Sequence, residues 1–136
     1  MNMRTSVLVS VFVIAIAAIV TYRETTKVAQ GLIAQARARA TRDHKVLMVE
    51  FGADWCSDCA QLYKSLENER RRDQFRKEFE LLHVDVGEFN RNLDIAKSLG
   101  IDVTEAIPTA AFFPPNSDQP IIKRGTNPIL AFVDGF

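Results

Sequence analysis

Two thiols and one indole sit together in "EFGADWCSDCAQL", Glu50 to Leu62: Cys56 and Cys59, three positions apart, directly behind Trp55, the only tryptophan. Two cysteines at this spacing can pair with each other, and one of them can attack an external disulfide while the other resolves the mixed disulfide that results. Other uses of such a pair can be weighed from the same sequence. With only two cysteines in 136 residues, a framework of several disulfides is excluded. A tetrahedral zinc site needs four ligands, and His44 and His83, the only histidines, lack the H-x(3-5)-H spacing. Two inert core cysteines would leave Trp55 unexplained. Redox exchange is the chemistry that fits, with no metal and no cofactor beyond the Cys56–Cys59 couple.

The surrounding elements must then hold the pair. "KVLMVEFGA", Lys45 to Ala53, is apolar and β-rich without strict alternation, as in a strand buried on both faces. A helix is predicted from Cys56 to Arg72 with Leu62, Tyr63 and Leu66 inward, then a short helix over Asp73 to Glu80. A strand follows at Leu81 to Val86, and a helix at Asn90 to Leu99 closed by Gly100. Thr109 to Phe113 and Ile121 to Arg124 read as a hairpin, followed by a last helix with Asn127 as N-cap and Pro128 in its first turn. The pattern is an α/β arrangement with a central mixed sheet flanked by helices. Both cysteines fall where a strand hands over to a helix. The exposed helix N-terminus favours a negative charge on Cys56, which makes it the nucleophile and Cys59 the resolving thiol.

Lys plus Arg equals Asp plus Glu at 17 each, so overall charge gives no case for a nucleic-acid partner. Thr5 to Tyr22 carries no charge, and its 18 residues at a helical rise of about 1.5 Å match a bilayer core. Residues 1–23 are therefore read as a membrane anchor or a secretory signal, with Arg4 as its positive flank and Ala15, Ala17 and Ala18 near a possible cut. Residues 24–43 read as a helical stalk whose apolar stripe is Val28, Leu32, Ile33, Ala36 and Ala40, with Gly31 as a break and Arg37, Arg39 and Arg42 on the solvated face. Residues 44–136 form the domain. Arg23, Lys27, Arg37 and Arg39 beyond the apolar run would by count place that domain in the cytoplasm.

"FGADWCSDC" with the later "IPT" resembles the thioredoxin superfamily. "VLMVEFGADWCSDCAQL", "VDVGEFNRNLDIAKSLGI", "IPTAAFF" and "GTN" resemble membrane-associated bacterial thioredoxin-like domains, including the C-terminal domain of the disulfide-reducing transporter family. The resemblance implies a thioredoxin-like fold over about residues 31–136. It places Glu50, six residues before Cys56, as the buried acid that takes and returns the proton of Cys59. Burying a carboxylate disfavours its charged form, which suits that work near neutrality. Pro108 is implied as the family's cis-proline, turning the backbone of Ile107 outward to pair with an extended substrate. Trp55 is implied on the substrate-facing surface, and Gly125 in a loop bordering the same groove.

Three departures stand out. Ser57 and Asp58 separate the cysteines, and Asp58 opposes the thiolate, which favours a reductase over an oxidase or isomerase. The segment "GIDVTEAIP", Gly100 to Pro108, is longer than in small thioredoxins, and the last helix is short. The expected function is a membrane-tethered thiol-disulfide oxidoreductase that reduces protein disulfides and draws on an upstream thiol electron donor. The resemblance implies a single-pass protein of the bacterial inner membrane with its domain on the periplasmic, exocytoplasmic face, against the charge count. The alternative is an accessory subunit of a larger membrane complex, using the domain to dock.

Overall fold

The computed structural model describes the backbone from Met3 to Phe136 and the side chains from Val7 onward, apart from residues 22–26 and 29. Arg4 and Arg23, counted above for orientation, lie outside the described side chains. Among the described residues nine elements follow one another: α1 (Met3–Arg42), β1 (Val46–Gly52), α2 (Ser57–Leu66), α3 (Glu69–Glu78), β2 (Phe79–Asp85), α4 (Leu93–Ser98), β3 (Thr109–Phe113), β4 (Ile121–Arg124) and α5 (Thr126–Val133).

The four strands form one mixed sheet in the order β2-β1-β3-β4. β1 pairs parallel with β2 and antiparallel with β3, while β3 and β4 make the expected antiparallel hairpin. Every residue of β1 and of β3 is buried, which explains why β1 is apolar throughout instead of alternating. Side chains of one face, Met48, Ala110 and Phe112, pack with Leu62 and Leu66 of α2, Phe75 of α3, and Ile129 and Val133 of α5. Those of the other, Leu47, Val49, Phe51, Ala111 and Phe113, pack with Ile33, Ala36 and Ala40 of α1 and Ile95 and Ala96 of α4. This is a three-layer α/β fold, with β1 central and β2 at an edge.

Several expectations are corrected. Gly31 does not break α1, which runs as one helix from Met3 to Arg42. Its buried stripe is narrower than the sequence pattern, because Val28 and Leu32 are exposed and only Ile33, Ala36 and Ala40 reach the core. Arg39 and Arg42 lie on the solvated face as expected, paired with Glu80 and Asp43 at 2.8 Å each, whereas Arg37 is half-buried, pairing with Asp118 at 2.6 Å and lying over the Phe113 ring. The helix predicted through Arg72 stops at Leu66, since Asn68 leaves the helical conformation and caps α3 by accepting from Arg70 N at 3.0 Å. Helix α4 starts at Leu93, not Asn90. The N-cap of α5 is Gly125 at φ +83°, a left-handed value that favours glycine, and not Asn127.

The N-terminal part of α1 differs from the rest. From Val7 to Val20 its large apolar side chains are exposed all round, Leu8 and Phe12 at 68% and 69%. The described side chains of the apolar run cover residues 7–21, and among the described residues no helix is long and apolar enough to cross a membrane.

Candidate active site

Strand β1 ends at Gly52 and the chain turns through Ala53 to Trp55 before α2 begins. Cys56 is the N-cap of α2, with extended dihedrals (φ −82°, ψ 108°), and its sulfur accepts from Cys59 N at 3.1 Å. The turn thus points both sulfurs to the same end of the sheet. Cys56 and Cys59 form a disulfide with their Cα atoms 5.2 Å apart. Neither is freely open: Cys56 is 6% exposed and Cys59 1%. The expected exposure of Cys56 is therefore a small window, and of the two residues Cys56 offers the more surface to a partner.

Facing the disulfide is the segment before β3. The Ile107–Pro108 peptide is cis, as the resemblance implies, and the Ile107 carbonyl oxygen lies 3.8 Å from Cys56 Sγ. Thr109 donates from Oγ1 to Ala106 O at 2.7 Å, and Gly125 N donates to Pro108 O at 2.7 Å, tying this segment to the start of α5. Thr126 Oγ1 then donates to Asp58 O at 2.8 Å, so α5 also braces the first turn of α2. Trp55 is half-exposed beside Cys56, held by its indole N–H donating to Gly87 O at 2.9 Å and by an edge contact with Phe89. Cys56, Cys59, Trp55, Ile107, Pro108 and Gly125 are therefore gathered at one end of the sheet.

Glu50 lies beneath them, fully buried in the middle strand. Its two oxygens have different surroundings. Oε2 accepts from the Tyr63 hydroxyl and lies 2.7 Å from His83 Nδ1, and the Tyr63 hydroxyl also contacts that nitrogen. Oε1 is buried with no hydrogen-bond partner among the described residues. A Cβ built on Gly52 would sit 2.6 Å from Oε1 and 3.3 Å from Cys59 Sγ, so carboxylate and sulfur border the same small space. Gly52 keeps it open: any larger residue would push the carboxylate away from Cys59. An unpaired buried oxygen is costly to fold around. Here it faces the sulfur that must lose and regain a proton when the disulfide forms and opens.

The Tyr63 hydroxyl is held far above the usual phenol range by burial and then by the adjacent Glu50 charge. It stays protonated and acts as a fixed donor to Oε2. The hydrogen bond to Glu50 raises His83 above the usual imidazole value, partly opposed by burial and helped by the charges of Glu50, Asp85 and Asp54. The sequence alone marks neither Tyr63 nor His83 for this role: by pattern Tyr63 is a core residue and His83 lacks the spacing of a zinc ligand. Their positions carried a signal: Tyr63 is one turn beyond Cys59 on α2, and His83 is the parallel register partner of Glu50.

A two-cysteine exchange centre on a helix cap, opposite a cis-proline and above a buried acid, now stands beside a family match. A thioredoxin-like family model matches residues 29–115. The chain belongs to the thioredoxin-like family. The disulphide isomerase of Xylella fastidiosa Temecula1 is 32% identical, with a TM-score of 0.61 over 79% of this chain and 81% of that one. Thioredoxins of Thermus thermophilus (20% identity, TM-score 0.56, 75% and 78% covered) and Trichomonas vaginalis (19%, 0.54, 79% and 90%) share the fold. No curated protein matches. The thioredoxin-like fold, its C-x-x-C pair at disulfide distance and this kinship identify a thiol-disulfide oxidoreductase.

Proposed function

We propose that this thioredoxin-like protein is a membrane-tethered reductase of protein disulfides, supplied by an upstream thiol donor. Cys56 attacks the substrate disulfide, Cys59 resolves the mixed disulfide, Glu50 takes the Cys59 proton, and Ile107, Pro108, Trp55 and Gly125 border the groove that receives an extended substrate segment. Asp54 and Asp58, both exposed, flank Cys56 and oppose a negative sulfur, which favours the bonded or protonated states and makes the couple less oxidising. That balance supports reduction over oxidation or isomerisation.

The observation that carries the tether is the apolar surface of α1. Burying a Val, Leu, Ile or Phe side chain gains about 1.5–3 kcal/mol, and ten such residues between Val7 and Val20 lie exposed on a helix that continues into the core. Acyl chains would cover that surface on every side. The full chain is expected to float with liposomes of phosphatidylethanolamine and phosphatidylglycerol, and the floated protein to titrate near thioredoxin, roughly −270 mV. Protein left in the soluble fraction would remove the tether, and a potential near about −120 mV would remove the reductase. The domain is placed on the exocytoplasmic face, where reducing power has to be supplied deliberately. A reporter fused after Phe136 and active only in the cytoplasm would reverse that placement.

A further inference from the structure

The carboxylate of Glu50 is sealed inside the sheet, yet each redox cycle must move one proton out of this site and one back. We propose that His83 is the outer end of that proton path: the proton that Glu50 takes from Cys59 leaves to solvent, and later returns, through the His83 imidazole. This inference rests on the exchange chemistry proposed above and adds the route by which its proton travels.

The geometry divides the labour between the two carboxylate oxygens. Oε1, without a hydrogen-bond partner, faces the space shared with Cys59 Sγ, while Oε2 lies 2.7 Å from His83 Nδ1. His83 sits on β2, the edge strand, and its side chain is 41% exposed, whereas Glu50 is 0% exposed. One ring nitrogen therefore meets the carboxylate and the rest of the ring meets water. Tyr63 contacts both groups and, held protonated, keeps its own proton while fixing their separation. The charged and titratable neighbours are few. Tyr63 and Cys59 approach from α2, Asp54 lies in the turn after β1, and Asp85 is on β2 itself. On the other flank, β3 places uncharged Ala110 opposite Glu50. Asp54, Asp85 and Glu50 all favour a proton on the ring.

The steps balance. Cys59 gives its proton to Glu50 and its sulfur attacks Cys56 Sγ in the mixed disulfide; the Cys56–Cys59 bond forms and the substrate leaves as a thiolate, which water protonates. Glu50 receives that proton on Oε1, a half-turn of its carboxyl group brings the O–H round to His83 Nδ1, and the imidazolium then releases its Nε2 proton to water, leaving the Nδ1–H tautomer bonded to the carboxylate. When an external dithiol reduces the disulfide, each transfer runs backwards and the Nε2–H tautomer returns. One turn of the cycle thus restores the ring without any rotation of His83.

His83 touches neither sulfur and acts through Glu50, so the test must separate relay from packing. In His83→Asn the side-chain amide can still donate to Oε2 but cannot carry a proton through. The full chain in detergent is assayed for multiple-turnover reduction of a protein disulfide across pH 5.5 to 8.5, with and without added imidazole. The expected result is a kcat lower by roughly tenfold with KM unchanged, loss of a pH inflection lying above the ordinary imidazole value, and recovery of rate with imidazole. Tyr63→Phe, which removes the donor to Oε2 but keeps the imidazole, should lower kcat while retaining the inflection and staying indifferent to added imidazole. A wild-type rate and pH profile in His83→Asn would overturn the relay. So would a lowered rate that keeps the wild-type inflection and ignores imidazole, since that pattern belongs to a structural role. Absence of turnover in the unsubstituted chain would instead strike the parent reductase reading.

Discussion

Replacing Cys59 by serine is expected to stop the reaction after its first exchange, with steady-state disulfide reduction falling about a thousandfold or more. Cys56 is the more exposed residue of the pair and lies opposite the Ile107 carbonyl, where an extended substrate strand would pass. It would still attack. With no thiol at position 59, the mixed disulfide has no internal route to release, so protein and substrate should accumulate as a covalent adduct. A non-reducing gel reads this directly: a band at the summed mass, lost on adding dithiothreitol. Sustained turnover in Cys59→Ser, or adducts that form on Cys59 in Cys56→Ser, would contradict the assignment of roles.

The second large effect concerns Glu50→Gln. The amide has nearly the same shape and can keep a contact with Tyr63 and His83, but it cannot take a proton from Cys59. Resolution at neutral pH is expected to slow by roughly a hundredfold, the ordinary range for loss of a positioned base, while the attack by Cys56 keeps its rate. Stopped-flow measurement of the two exchanges separates them. Stability should move the other way. Glu50 is 0% exposed, and one of its oxygens has no hydrogen-bond partner, so neutralising it removes the desolvation of a charge. A gain of about 1–3 kcal/mol in denaturant unfolding is the expected size. A variant that resolves at the wild-type rate, or one that is destabilised by a similar amount, would show that Glu50 is there to hold the fold and not to move a proton. The opposed changes are the mark of a group retained for chemistry at a cost in stability.

The residues gathered around the disulfide were legible because their signals are local. Cys56 and Cys59 are three apart, Glu50 is six residues upstream in an unbroken apolar strand, and Pro108 immediately precedes the buried strand Thr109–Phe113. Strand positions followed from the same apolar runs, to within two residues. What the sequence obscured depends on register and capping. Glu50 meets His83 only because β1 and β2 align in parallel with these residues opposite each other, a pairing across 33 positions with no mark in either segment. The end of α2 was hidden by "NERRR", where charged residues suit a helix interior as well as a helix start; Asn68 acts as a cap because its side chain reaches Arg70 N. The membrane-like run was plain in composition, whereas the continuity of its helix past Gly31 into the core was not, since a glycine lowers helix propensity without forbidding the helix.

That continuity sets a geometric condition on what the thiols can reach. If the apolar run sits in a membrane as proposed, a disordered tether would let the domain sample a broad shell above the surface, whereas a continuous helix from that run to Ile33, where burial against the sheet begins, would hold it roughly 16 Å beyond Tyr22. Each residue along that helix also turns the domain by about 100°, so length and bearing are locked together. The disulfide would then work less like a hand on a rope than like a tool on a fixed post, presented at one altitude and one compass direction to whatever stands beside it.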